Sequence, residues 1–524
     1  MQQHIKPGRL KFLMAAILIS MFMSALDQTI VATALPTILK DLGGFNVLAW
    51  IYASYILTST ISILVVGRLS DIYGRKVFYL YAIAIFVLGS MLSGLSHNIT
   101  QLIIFRAFQG IGGGALTSLA FASIGDLFTP RERGKWQGII ASSFGIASVV
   151  GPLVGGYITS TFSWQWIFYL NVPVGIVAFI LLYTEYPNIK LEKDEKVDYL
   201  GILLFSISIV ALVSALIFGG SLFAWASMQE YLLSSTFIIF LIAFIYYQTK
   251  AKYPLLPLHL FKNRSFVMVN IVAFLTSFGF LGGVVYLPIY FQYVRGASPT
   301  LSGVYLISLV AGLILTSIGG GLILTKFGKY KLLVLAGAIV ASIGFFLLST
   351  VSVNINIYLY SVYMFITGVG LGVLLPILTI VAQNFFNASE VGLVTGMIQF
   401  SRNIASAVGL AAMGAILNNS LISQFNKNKP ANLPKVFSNK YETIKNSLTT
   451  SGGSFTTNVS APKNLPSYLI KYVNEITSSV YKSLTASIGN ILLFSAIVIV
   501  ISIIFVFFIK EIPLRTTDTH TIVE

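Results

Sequence analysis

Three ionisable side chains stand inside long apolar runs, where charge is costly and each one needs a reason. Asp27 lies in "ALDQTIVATALP" (25–36), Arg106 in "LIIFRAFQGIGGG" (102–114) and Arg402 in "GMIQFSRNIASAVG" (396–409). Placing such a group inside a membrane costs about 2.5–3.5 kcal/mol even on lenient scales. Burial opposes ionisation of a carboxyl and a nearby cation favours it, so a carboxyl held between the two can load a proton on one side and release it on the other. Asp27 is therefore the candidate proton carrier, with Arg106 as its coupling partner. The alternatives are an Asp27 fixed by hydrogen bonds from neighbouring helices and an Arg106 that only satisfies helix carbonyls. At 1.5 Å per residue, Asp27 lies about 24 Å from Lys11 and Arg106 about 12–14 Å from His97–Asn98. Both then fall in the outer half of a ~30 Å hydrocarbon layer, able to sense one another across a cavity.

The elements that must position these groups are apolar helices. The 524 residues are 56% hydrophobic and 10% charged, with a mean hydropathy of +0.85, which excludes an ordinary soluble domain. The absence of cysteine excludes disulfides, iron–sulfur clusters and thiol catalysis. The four histidines are scattered without metal spacing, so no cofactor or metal site is expected. Apolar runs between charged breaks predict fourteen transmembrane helices, near 11–33, 46–66, 77–96, 100–124, 136–160, 165–184, 199–219, 231–249, 265–292, 300–324, 331–350, 355–381, 392–417 and 486–509. An even number puts both termini on one side. The loops on that side carry Lys6, Arg9, Arg68, Arg75, Arg131, Lys190, Lys193, Lys196, Lys250, Lys326 and Arg515 among others. The short loops opposite hold only Lys40 and Arg295. Positive residues stay in the cytoplasm, so both termini are expected there, and the net charge of +16 reflects orientation, not nucleic-acid binding.

The segment 418–485 departs from this pattern, being polar, lysine-bearing and on the outer face. Within it "LPSYLIKYVNEITSSVYKSL" spaces apolar residues helically, which supports an external helix or hairpin over the transport domain; a solvated loop is the alternative. An internal echo also appears. "GRLSDIYGRK" (67–76) matches "GLILTKFGKY" (321–330), aligning Gly67 with Gly321 and Gly74 with Gly328, while Asp71 meets Thr325. Repeated halves with a site between them mark secondary transporters. The expected organisation is a six-helix bundle over 1–185, two inserted helices with their loops over 186–264, and a second six-helix bundle over 265–524.

Four further motifs follow in order: "LIIFRAFQGIGGG", "GIIASSFGIASVVGPLVGG" (138–156), "SWQWIFYLNVPVG" (163–175) and "YLPIYFQYVRGASP" (286–299). With "LDQTIVATALP" and "GRLSDIYGRK", the chain resembles the major facilitator superfamily, specifically its fourteen-helix drug:proton antiporter branch, over nearly its whole length. That resemblance implies a proton-coupled multidrug efflux antiporter working by alternating access, not an enzyme, in a bacterial-type plasma membrane. It implies a cytoplasmic latch at Gly67, Asp71, Gly74, Arg75 and Lys76, softened by Ile72 where a basic residue is usual; a plain topology signal is the alternative. It also implies a pivot against the other half at Gly151, Pro152, Gly155 and Gly156, although tight helix packing explains these glycines equally well. Candidate substrate contacts are Asn171, Tyr286, Tyr290, Gln292, Gln399, Arg402 and Asn403, with core packing the competing account of each aromatic and amide. Drug-exporting relatives carry acids in the second half that favour dications. None stands within the predicted spans of that half in this chain, so neutral, zwitterionic, anionic or singly charged amphiphiles fit better. A monomer exchanging small amphiphiles for protons within the bilayer is expected. Export of an endogenous metabolite, peptide or lipid is the second reading, and a membrane sensor or enzyme a remote third.

Overall fold

The computed structural model describes residues 7–42, 48–187, 197–219, 223–387, 390–430, 433–450 and 467–514. Lys6, Lys190, Lys193, Lys196 and Arg515, cited above for orientation, lie outside that set. The described chain is helical: α1 (Pro7–Leu42), α2 (Leu48–Tyr73), α3 (Arg75–Gly94), α4 (Ile99–Leu127), α5 (Pro130–Thr161), α6 (Trp166–Tyr169), α7 (Asn171–Glu185), α8 (Tyr199–Phe218), α9 (Met228–Lys250), α10 (Arg264–Val284), α11 (Leu287–Ile289), α12 (Pro299–Phe327), α13 (Tyr330–Ser349), α14 (Ile357–Asn384), α15 (Val391–Lys427), α16 (Lys435–Thr450) and α17 (Ser467–Phe507). Helices prevail because only internally hydrogen-bonded backbone is stable in hydrocarbon. Local signals set their ends. Asn98 accepts from the Gln101 amide to start α4, and Thr129 and Glu132 form a capping box ahead of Pro130 to start α5.

Among the described residues, twelve helices are long and apolar enough to cross a membrane: α1–α4, the α6–α7 stretch, α8, α9, α12–α15 and α17. Two predicted spans fall outside that set. In place of one stands α10, which is apolar over Arg264–Phe280 only. The other is α5, rich in Gly and Ser. It packs among α1, α12 and α14 and so needs little lipid-facing surface.

Several boundaries differ from the sequence expectation. The predicted 265–292 helix stops at Val284 and continues as α11 and a π-helical turn, Tyr290–Val294. Gly282, Gly283 and Pro288 weaken a continuous helix there. The predicted sixth helix is split at Leu170. At the other extreme, α15 runs 37 residues and α17 runs 41, about 55 and 60 Å at standard rise, well beyond a ~30 Å hydrocarbon core. Their projecting ends and α16 form a helical cap from the 418–485 segment. The Tyr441 hydroxyl donates to the Phe425 carbonyl at 2.8 Å and lies 2.9 Å from Ser479 Oγ, and Asn428 Nδ2 donates to Ser483 Oγ at 3.1 Å. The helical expectation for this segment therefore holds on both sides of residues 451–466, which lie outside the described set.

Two groups of helices follow one another along the chain, α1–α7 and α10–α17. α1 lies on α4, α5 and α7, and α3 on α4 and α7; α12 lies on α14, α13 on α14 and α17, and α10 on α15 and α17. The groups meet along α5 against α12 and α14, and along α2 and α4 against α15. α8 and α9 pair with each other, with α8 touching α2 and α15.

Candidate functional site

Asp27 and Arg106 do not face each other across a cavity. They are in direct contact inside the first helix group, with both side chains almost wholly buried. Arg106 Nη1 donates to Asp27 Oδ2 at 2.5 Å and to Gln109 Oε1 at 2.8 Å. Gln109 Nε2 donates to Asp27 Oδ1 at 2.9 Å, and Asn171 Nδ2 donates to the same oxygen at 3.2 Å. The guanidinium lies 4.4 Å from the Tyr55 ring centroid and 5.8 Å from that of Phe168. Asn171 also donates to Ser90 Oγ at 2.9 Å, tying α7 to α3. One carboxylate therefore gathers donors from α4 and α7, and its arginine partner reaches α2. A change in its charge is felt by several helices at once.

Asn171 thus sits with the proton-carrier candidates, apart from the second-half residues it was grouped with. Sequence reading missed Gln109, Tyr55 and Ser90. Gln109 had a signal, since "RAFQ" puts it three residues from Arg106 on the same helix face. Tyr55 and Ser90 come from other helices and had none.

The second-half candidates do not converge on one point. Gln399 and Arg402 adjoin, with Arg402 Nη1 3.5 Å from Gln399 Oε1 and Arg402 Nη2 donating to the Leu375 carbonyl at 2.5 Å. Asn403 is half-buried on the next helical position. Tyr286, near Gly414, stands about 18 Å farther along α15 at helical rise. Tyr290 is fully buried, its hydroxyl donating to the Ser352 carbonyl at 2.9 Å and its ring against Tyr360 and Phe291. Its polar atom is spent on the fold. Gln292 lies in the same π-helical turn as Tyr290, partly buried.

At the end of the bundle that holds both described termini, the motif of residues 67–76 is joined to the other helix group. Asp71 Oδ1 accepts from Arg75 Nη2 at 2.7 Å, and its Oδ2 accepts from the Leu393 amide at 2.8 Å. The carboxylate thereby caps the first turn of α15, across the seam, where the helix dipole favours negative charge. A side chain at Gly392 would strike that carboxylate at 2.1 Å. Arg75 also pairs with Asp126 and donates to Ser70 Oγ at 2.9 Å. Arg133 joins by donating to the Gly125 and Phe128 carbonyls at the end of α4. Arg75 and Arg133 are thus buried alongside Arg106 and Arg402, two more than the apolar runs of the sequence pointed to. Gly67 meets Gly392 and Gly396 of α15, Gly74 adopts a φ of 92° between α2 and α3, and Lys76 lies 5.5 Å over the Tyr183 ring.

The glycines named for the pivot do not all face the other helix group. A Cβ at Gly151 would meet Thr29 Oγ1 of α1 at 2.1 Å, within its own group, and one at Gly156 would meet nothing within 4 Å. Gly155 is buried on the same stretch, and the Pro152 side chain lies outside the described residues. The tightest glycine contacts of α5 with the other group are at Gly134 and Gly138, where a Cβ would strike the carbonyls of Gly321 and Ser317 at 2.5 and 2.2 Å, while one at Gly145 would meet Val310 at 3.2 Å. Nearby, Gln137 Nε2 donates to Gln383 Oε1 at 3.0 Å and Gln383 Nε2 donates to Thr395 Oγ1 at 2.7 Å, bridging α5, α14 and α15.

Comparison with known proteins agrees with this architecture. The family model of the Major Facilitator Superfamily matches residues 17–410. "Multidrug transporter protein MdtP" of Bacillus subtilis (strain 168) is 35% identical over 517 residues, covering 98% of this chain and 95% of that protein. "Multidrug resistance protein 3" of the same organism is 34% identical over 519 residues, covering 98% of each. Among solved structures, the proton:xylose symporter XylE superposes with a TM-score of 0.60 at 14% identity over 98% of both chains, a likeness of fold alone. The buried charge cluster, the Asp71 contact with α15 and the packed helix groups thus stand in a chain that belongs to the Major Facilitator Superfamily, a family of membrane transporters and not of enzymes.

Proposed function

We propose that the protein is a proton-coupled efflux antiporter that exports small amphiphiles by alternating access. Its relatives named as multidrug transporters support the efflux reading. The observation that carries the coupling is the sealed Asp27–Arg106–Gln109–Asn171 cluster. Protonation of Asp27 removes its charge from Arg106, which is left to Gln109 and the Tyr55 and Phe168 rings, and the α1–α4–α7 contact loosens. Deprotonation restores it. Coupling this change to the latch, which opens and closes at the other end of α2 and α4, yields exchange.

In this reading all fourteen predicted helices span the membrane, residues 1–185 and 265–524 rock as halves, and 186–264 is an insertion. The clustered lysines and arginines support an orientation with both termini in the cytoplasm, and the Bacillus relatives support a bacterial-type plasma membrane. The closed latch then corresponds to an outward-facing state. The transporter works as a monomer, with Gln399, Arg402 and Asn403 among its substrate contacts. Exchanging one proton for a neutral substrate moves one charge, worth ~2.3 kcal/mol per 100 mV or roughly 50-fold accumulation.

The test is pH-gradient-driven efflux of a dye panel in proteoliposomes. Asp27→Asn is expected to lose gradient-driven transport while Asp27→Glu keeps part of it. Full gradient-driven efflux by Asp27→Asn removes Asp27 from the mechanism.

A further inference from the structure

Arg402 differs from every other arginine buried in the described structure. Arg106 has Asp27, Arg75 has Asp71 and Asp126, and Arg133 holds the carbonyl end of α4. Arg402 is 8% exposed and takes part in none of the ion pairs among the described residues. Its fixed contact is the Leu375 carbonyl, and its Nε has no partner. One turn below, Gln399 Nε2 is likewise buried without a partner. A guanidinium keeps its charge at any relevant pH and offers five donors, so a buried one with a single good acceptor lacks a counterion.

The chain has no counterion to give from this half. Between Ser265 and Leu417 the sole acidic residue is Glu390, at the start of α15, and it lies 2.8 Å from His259 Nε2. The position of the pair is equally specific. Thr395, Gln399 and Arg402 occupy one stripe of α15, and Thr395 at its foot joins the Gln383–Gln137 bridge that closes the seam between the helix groups. Gln399 and Arg402 rise about 6 and 10 Å above that floor at helical rise. Measured from the contact of Gly125 with Val391, Arg106 lies about 28 Å along α4 and Arg402 about 16 Å along α15, so this cation sits well below the Asp27 pair.

We propose that Arg402 and Gln399 form the anion-binding end of the substrate site and that the exported amphiphile carries a carboxylate. The unpaired Nε edge of Arg402 is a ready donor for a carboxylate oxygen, and Gln399 Nε2 adds another from the neighbouring turn. The proposal rests on the export reading above and narrows its substrates to singly charged anions and zwitterions. The two intramembrane arginines then differ in what neutralises them. Arg106 is balanced by the protein's own acid, Arg402 by the acid of its cargo.

The experiment uses the full-length protein and needs no gradient. An amphiphilic naphthyl alkanoate and its methyl ester are titrated by calorimetry into detergent-purified protein. Wild type is expected to prefer the carboxylate by about tenfold or more, Arg402→Gln to lose that preference while keeping its affinity for the ester, and Arg402→Lys to keep part of it. Retained ester binding shows that the glutamine variant is folded; should it not fold, Gln399→Leu is expected to weaken carboxylate binding alone. A preference that survives Arg402→Gln, a wild-type preference for the ester, or equal loss of both ligands overturns the proposal, the last by reducing Arg402 to a structural tie to Leu375. Carboxylate binding without gradient-driven efflux in wild type would defeat proton coupling but leave this site standing. Gradient-driven efflux without carboxylate preference would do the reverse.

Discussion

At the scale of single residues, the chemistry is concentrated in a charge pair that the protein can ill afford to break. A carboxylate and a guanidinium removed from water repay their desolvation only together, and removing one partner of a buried pair costs about 3–5 kcal/mol. Arg106→Gln is therefore expected to lower the unfolding midpoint of the purified protein sharply, as is Asp27→Asn. The double variant should be less destabilised than the sum of the two singles, because no unpaired charge remains, yet it should show no gradient-driven transport. Thermal unfolding of the four proteins measures the first expectation and proteoliposome efflux the second. Additive destabilisation would mean that the two side chains act independently despite their 2.5 Å contact.

At the scale of elements, the deciding contact is one carboxylate against one helix end. Asp71 holds Arg75 on its own side of the seam and the first turn of α15 on the other. A charge at a helix N-terminus contributes about 0.3–1 kcal/mol when exposed and up to ~2 kcal/mol when partly buried. That is enough to move a two-state equilibrium several-fold. Asp71→Asn should therefore open the terminus-bearing face. In this cysteine-free chain a single reporter at Ser118→Cys, beside Gly67, gives the readout. Its labelling by a membrane-impermeant maleimide applied from that face should rise several-fold in the Asp71→Asn background. Unchanged labelling would reduce Asp71 to a topology signal.

For the molecule as a whole, the proposed cycle has the two helix groups part along the seam that α5 and α12 share. Small residues bring those helices together, since Gly134 and Gly138 leave no room for a Cβ against Gly321 and Ser317. Gln137 and Gln383 then bridge the groups by hydrogen bond. Replacing both with cysteine and joining them with a short bifunctional thiol reagent should abolish efflux. A cleavable version of the reagent should restore it on reduction, while either single cysteine with the same reagent keeps most activity. Transport that continues through the cross-link would show that this seam does not open during the cycle.

How far the sequence reached follows from which forces are local. Hydrophobic runs, their lengths and the charges between them determined that the chain is helical and membrane-spanning, because apolar burial and backbone satisfaction in lipid act along a single helix. The cost of charge in apolar surroundings, again a local matter, made Asp27, Arg106 and Arg402 stand out. Partnership is not local. That Asp27 touches Arg106 directly, that Asn171 joins them, and that the second group is met at Gly134 and Gly138 instead of at Gly151 were decided by how helices far apart in the chain pack. The same holds for Gln137 and Gln383, 246 residues apart with no sequence sign of their bond. That the predicted spans around Arg402 in its own half carry no acid is legible in the sequence; that no acid from elsewhere pairs with it among the described residues was decided by the tertiary structure, because a counterion is a matter of three-dimensional neighbours.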